Sequence, residues 1–228
     1  MRKSVEEARR TRERIVETAV HQASGLGLSG LTIGALAEAL DMSKAGVVGP
    51  FGSRAELQLS ALDRAVEMFT TAVVAPGRAA EPGLACLHAV IDAWCDYLAD
   101  SPFPNGCFVT AASCELDGRP GELRTRLQDV VVRWRRFLAE QITTAQTAGD
   151  LDPRLEPEDL VSLLSGLAMA ANQEIQLLGD ERAAPRARRL MRTALAAHRP
   201  QMQTQGQTQA RVQTQAQAPA PPSGRTAS

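Results

Sequence analysis

Residues 31–57 read LTIGALAEALDMSKAGVVGPFGSRAEL, and the spacing of capping and apolar residues resolves them into two short helices, a tight turn and the start of a third helix. Thr32 stands where a hydroxyl can cap free backbone N–H groups, and Ile33, Leu36, Ala37 and Leu40 then share one face at helical spacing. Asp41 and Met42 make the turn. Ser43 is a second N-cap, opening a helix from Lys44 to about Val48 with Val47 inward and Lys44, Ala45 and Val48 outward. Phe51 closes the unit, and Ser53 with Glu56 three residues on forms a capping box from which a long helix should run. Laying one short helix across another is the arrangement that places a helix in a DNA groove. Thr32, Ser43, Lys44, Ala45, Gly46, Val48, Ser53 and Arg54 are therefore the candidate DNA-contacting residues, Lys44 and Arg54 acting on phosphates.

Working outward, Arg12 to Leu26 carries Ile15, Val16, Ala19, Val20 and Ala23 on one stripe and ends where Gly25, Gly27 and Gly30 supply left-handed stops, completing a three-helix unit. The first fourteen residues place Arg2, Lys3, Arg9, Arg10, Arg12 and Arg14 against Glu6, Glu7 and Glu13, a local positive excess in a chain whose net charge is −1. Such an arm suits sequence-independent phosphate contact. An unstructured, solvated terminus is the competing reading.

Beyond Ser53 the helical period persists. A helix through Leu57, Ala61, Leu62, Ala65 and Phe69 should break at Pro76-Gly77; the next holds Leu84, Leu87, His88, Ile91, Trp94, Cys95 and Leu98. A shorter one carries Phe108, Ala111, Ala112 and Glu115, and the clearest runs Leu123, Leu127, Val130, Val131, Trp134, Phe137, Leu138 and Ile142. The segment from Glu156 to about Leu178 is apolar nearly all round in its middle, which demands burial on more than one side. The last helix, from Pro185, sets Ala187, Leu190, Met191 and Leu195 on one stripe. From Pro200 onward the Gln, Thr, Ala and Pro composition cannot offset its conformational entropy, and no structure is assigned there.

With 44% hydrophobic content over 228 residues the chain can bury a good core, and its 4% aromatic content suits an Ala/Leu-rich helical protein. No apolar run reaches membrane-span length and the charged start lacks a signal-peptide core, so a cytoplasmic protein with no membrane partner is expected. The four cysteines, 86, 95, 107 and 114, form no Cys-x-x-Cys pair, and Cys86 with His88 is too little for a metal. No Gly-rich phosphate loop appears and no general base sits near a cysteine in sequence, so an enzyme is not expected, and neither is a cofactor.

At this point the residues resemble a family. Thr-Arg-Glu-Arg-Ile-Val at 11–16, Leu-Thr-Ile-Gly-Ala-Leu-Ala-Glu-Ala-Leu at 31–40, Met-Ser-Lys-Ala-Gly-Val at 42–47 and Phe-Gly-Ser-Arg-Ala-Glu-Leu at 51–57 are similar to the N-terminal domain of TetR/AcrR-type transcriptional regulators. Phe103-Pro-Asn-Gly-Cys-Phe108 and the run from Ala112 to Gly121 resemble a subgroup with a Phe-Pro-Gly-Gly-Cys-Phe segment in its second domain. The resemblance covers about residues 9–198 and implies an all-α homodimer that represses from double-stranded operator DNA until a small-molecule effector binds. It implies a helix-turn-helix DNA-binding domain, with its N-terminal arm, over 1–55 and a helical ligand-binding and dimerisation domain over 56–198, while composition leaves 199–228 as a disordered tail. It also exposes departures: Val48, Gly49 and Pro50 stand where an aromatic, a variable residue and a His or similar polar residue commonly precede the closing Phe. Pro50 should in addition push Gly49 out of the helical region and shorten the reading helix.

Candidate ligand-binding residues on converging helices are Trp94, Cys107, Phe108, Ala111, Glu115, Trp134, Phe137, Met169, Asn172 and Gln173, with plain core packing as the alternative for each. Glu115, a carboxylate on an otherwise small and apolar helix, needs a partner. Leu160, Leu163, Leu164, Leu167 and Ala171, with Leu190, Met191 and Leu195, are the candidate dimer interface that the resemblance implies for the last two helices. An ordinary core helix is the alternative. Two further readings stay open: a small-molecule binding protein with a weakened DNA reader, and a sensor of electrophiles or oxidants through Cys107, as in some regulators with a similar Gly-Cys segment.

Overall fold

The computed structural model describes residues 2–200; the expected tail falls almost wholly outside them. Among the described residues the chain is all α, with ten α-helices and one π-helical stretch. The front unit is α1 (Arg2–Leu26), α2 (Ile33–Leu40) and α3 (Lys44–Val48), followed by α4 (Arg54–Phe69). All three expected caps form: Thr32, Ser43 and Ser53 accept from the N–H groups of Ala35, Gly46 and Glu56 at 3.2, 3.0 and 3.1 Å. Each satisfies a donor that the first helical turn leaves unpaired, which is why the helices start where they do. Helix α1 begins at Arg2 and is not confined to 12–26. In its first turns Arg9 bonds Glu6 and Glu13, and Arg10 bonds Glu6, at i,i+3 and i,i+4 spacing. The side chains of Arg2 and Lys3 lie outside the described residues.

Ile15, Ala19, Val20, Leu28, Leu36 and Val47 fill the core of the front unit. Leu57, Ala61, Leu62 and Ala65 of α4 join the same core, as do Phe103, Phe108, Ala112 and Leu116 from much later in the chain. The front unit is thus closed by α4, beyond the expected boundary at residue 55, and its underside is sealed by the second domain.

The expected break at Pro76-Gly77 does not occur. Helix α4 passes into a π-helical stretch, Thr70–Val74, and on into α5 (Ala75–Ala79) with Pro76 in its first turn. The wider π-helical turn just ahead, in which Ala75 N–H donates to Thr70 O, lets the rod continue through a residue that has no N–H to give. The second domain continues with α6 (Leu84–Ala99), α7 (Phe108–Leu116), α8 (Glu122–Thr147), α9 (Pro157–Leu178) and α10 (Ala183–Ala197). Leu87, Ile91, Cys95 and Leu98 of α6 are buried at the centre of the second core, packed among Leu138 and Ile142 of α8, Leu160, Val161 and Leu164 of α9, and Met191 and Leu195 of α10.

Candidate functional site

On the front unit, Val47 is fully buried while Lys44 and Ala45 are exposed and Val48 is partly so. Contrary to the expectation for a residue before proline, Gly49 keeps right-handed helical angles (φ −49°, ψ −48°) and its N–H donates to Ala45 O at 2.8 Å. The clash that normally forbids this involves the Cβ of the preceding residue, and glycine has none. The turn therefore carries on to Phe51 and Gly52, whose N–H groups both donate to Val48 O at 2.9 Å.

Arg54 is committed elsewhere than to an open phosphate site. Its Nε donates to Leu31 O at 2.9 Å and a terminal nitrogen to Ser29 O at 2.6 Å, tying the start of α4 to the α1–α2 loop. Arg12, read from the sequence as part of the basic arm, lies over the Phe51 ring at 4.8 Å and donates to Ser60 Oγ at 3.1 Å. Lys44 is left as the exposed side-chain cation on α3.

A cavity of about 320 Å³ opens in the second domain between α4 with its π-helical extension, α7, α8 and α9. Trp94, Cys107, Trp134, Phe137 and Met169 line it. Phe69 and Trp94 present their rings to Trp134 nearly perpendicularly, with centroids 5.1 and 5.0 Å away, while Phe137 stacks on Trp134 at 5.9 Å. Sequence reasoning missed Phe69, Thr70, Val74 and Arg78, a row contributed by the stretch that was expected to end the helix. It also missed Val109, Thr110 and Ser113 on α7 and Ser165 on α9. Their signal was faint because small and β-branched residues facing a void look like those facing a core.

The other five candidates do not line this cavity. Phe108 is buried in the front core; Ala111 and Glu115 face a separate cleft between the two domains. Asn172 is buried and its Oδ1 accepts from Cys107 N–H at 2.8 Å, so it fixes the start of α7, and Gln173 is exposed.

Glu115 has a partner of a kind the sequence did not suggest. Its Oε2 accepts from Leu28 N–H at 2.8 Å and its Oε1 from Ser29 N–H at 2.7 Å. Burial alone would raise its pKa, but the bonds from Ser29 and Leu28 and the nearby Arg119 outweigh it and hold the carboxyl below its ordinary value. Arg119 donates to Ser29 Oγ at 2.7 Å, Asn105 to Gly25 O at 3.1 Å, and Gln58 to Leu28 O. Gly27 enters the loop at φ +78°, and a Cβ there would lie 2.8 Å from Glu115 Oε2, so both backbone and space call for glycine. The loop between α1 and α2 is thus gripped by α4 on one side and α7 on the other.

Of the expected interface residues, Leu160, Leu164, Ala171, Met191 and Leu195 are buried within this chain, where α9 and α10 pack on α6. They are core and not available to a second copy. Leu163 and Leu190 are exposed, and Leu167 is partly buried. Cys86, Cys95 and Cys107 are buried and Cys114 exposed. Burial pushes the Cys107 thiol upward against a bond from Thr110, which keeps it protonated and poorly nucleophilic.

Fold and geometry define an all-helical helix-turn-helix protein whose second domain holds a cavity. Residues 83–191 match the family described as tetracyclin repressor-like, C-terminal domain. The chain superposes on a TetR transcriptional regulator from Chloroflexus aurantiacus with a TM-score of 0.78 at 23% identity, over 87% of this chain and 98% of that one. A TetR-family regulator from Cytophaga hutchinsonii gives 0.74 at 18%, over 85% and 96%. AibR, solved with isovaleryl coenzyme A and operator DNA, gives 0.64 at 18%, over 79% and 97%. No curated protein matches the chain. Residues 83–191 are thus a tetracyclin repressor-like C-terminal domain, and the chain as a whole shares the fold of TetR-type regulators.

Proposed function

We propose that the chain is a homodimeric repressor that leaves double-stranded operator DNA when a small molecule enters the aromatic cavity. The two faces of α7 carry this reading. Val109, Thr110 and Ser113 wall the cavity, while Phe108, Ala112 and Glu115 on the same nine-residue helix hold the front unit. A ligand that shifts α7 by a fraction of an ångström acts directly on the loop that positions α2 and α3. The DNA and acyl-coenzyme A complex of AibR, which shares the fold, supports both partners. A regulator of chromosomal transcription works in the cytoplasm.

The second copy is assigned to the outer face of α9 and α10. Leu163, Gly166, Ala170, Gln173 and Leu177 recur along one exposed stripe of α9, and Leu190 lies exposed on α10. Gly166 has no neighbouring atom that a Cβ would meet, leaving room for close helix approach. DNA affinity is expected to be modest, because Lys44 is the one side-chain hydrogen-bond donor within α3 and Arg54 is spent on carbonyls. That observation favours, as a second reading, a cavity protein whose DNA reader has weakened.

Fluorescence anisotropy on the DNA upstream of the protein's own coding sequence, against a random duplex at the same salt, tests the proposal. Binding that exceeds the random duplex by tenfold or more supports an operator-binding repressor; equal binding leaves the weakened reader.

A further inference from the structure

We infer that the cavity takes a hydrophobic anion: an apolar body against the tryptophans, with a carboxylate or similar head group at Arg78 and Arg133. The inference rests on the cavity being the effector site and adds the chemical class of the effector.

The charges around the cavity are one-sided. Its charged lining residues are Arg78, Arg133 and Arg135, with no Asp or Glu among the lining side chains. Arg135 is neutralised by Glu158 at 2.7 Å. Arg78 and Arg133 have no carboxylate within 4.0 Å among the described residues, and both are exposed, so the cavity lining includes two unpaired guanidinium groups that also meet solvent. An aromatic box by itself would suit a quaternary ammonium, because ring faces attract cations. Here the place of that cation is already taken: the Arg78 guanidinium lies over the Phe137 ring at 5.6 Å, and Phe137 stacks on Trp134. A cationic ligand would meet two like charges, whereas an anion can gain charge-assisted, forked hydrogen bonds from a guanidinium that has no carboxylate partner.

The position of Arg78 follows from the backbone. Thr70, Val74 and Arg78 are spaced by four along the continuous α4–π–α5 rod and all line the cavity. The π-helical turn is what carries the rod past Pro76 to Arg78, and such turns recur at ligand sites. Inside, Ser165 Oγ is shut off from solvent and has no hydrogen-bond partner in the protein. It offers one further polar contact to a bound molecule beside the aromatic rings.

Trp94 and Trp134 are the only two tryptophans in the chain and both line the cavity, so they report on its contents. The neutral dye 1-N-phenylnaphthylamine is titrated into the full-length protein, with energy transfer from tryptophan as the signal, and then displaced by octanoate, octanamide or octylammonium at constant ionic strength. Octanoate should displace the dye at about one-tenth of the octanamide concentration or less, corresponding to one charge-assisted bond, and octylammonium should be weakest. Arg78→Gln should bring octanoate to within about threefold of octanamide, each referred to the variant's own affinity for the dye. If the dye binds but octylammonium displaces it as well as octanoate does, the anion inference is wrong and the cavity reading stands. If the dye does not bind at all, the cavity is not a ligand chamber and both readings fall.

Discussion

Removing the Glu115 carboxylate should loosen the front unit from the second domain, and the structure allows the cost to be worked out. Two charge-assisted bonds, at 2.8 and 2.7 Å to Leu28 and Ser29 N–H, are lost in Glu115→Ala. Each is worth about 1.5–3 kcal/mol when the group is well shielded. The Glu115 side chain retains 17% of its exposure, so water partly replaces what is lost, and a total of about 2–4 kcal/mol is expected after that discount. For a chain of this size that lowers the thermal midpoint by about 5–15 °C. Glu115→Gln keeps one acceptor and the side-chain volume and should cost about half as much. The comparison belongs at fixed protein concentration, because association stabilises the folded state.

The pH dependence gives an independent handle on the same contact. The folded-state pKa of Glu115 is depressed, so its contribution is fully present above the ordinary carboxylate pKa. It fades as the pH falls below that value and through the lower folded one. The gap between wild type and Glu115→Gln in urea unfolding should therefore be constant from neutral pH to about pH 5.5 and shrink below that. A Glu115→Ala protein within about 0.5 kcal/mol of wild type at neutral pH would refute the assignment of Glu115 as the clamp on the α1–α2 loop.

Three further outcomes are expected. Leu163→Glu combined with Leu190→Glu should give a folded monomer by sedimentation, whereas Leu164→Glu, which puts a carboxylate into the core among α6, α9 and α10, should lose the fold; a double variant that remains a dimer would move the interface elsewhere. Lys44→Ala should weaken binding to all duplexes alike and reduce the salt slope by about one, while Arg54→Ala should lower the thermal midpoint by freeing the Ser29 and Leu31 carbonyls, with a smaller salt effect than Lys44→Ala. Iodoacetamide at neutral pH should label exposed Cys114 at least tenfold faster than buried Cys107, read by mass spectrometry; rapid labelling of Cys107 would revive the thiol-sensor reading.

The residues from 31 to 57 were legible because what shapes them is local. Thr32, Ser43 and Ser53 cap amides three residues ahead, and the apolar period chooses the inward face of each helix, so caps, turn and helix order follow from neighbours in the chain. The aromatic side of the cavity was legible for a related reason: Trp94, Trp134 and Phe137 are too large to be anything but packed or pocket-lining. Arg78 was hidden because Pro76-Gly77 reads as a stop, and only the π-helical stretch carries the rod past it.

Caps, helical periods and the tandem of short helices depend on separations of three or four residues, and the amino-acid sequence by itself determined them. The tertiary structure alone decided which face of α9 is core and which is free, that Arg54 serves carbonyls, and that Glu115 clamps amides 86 and 87 residues away. Those assignments turn on the rotation and offset with which whole helices dock. Burial summed over many side chains sets that docking, and no single position in the chain records it.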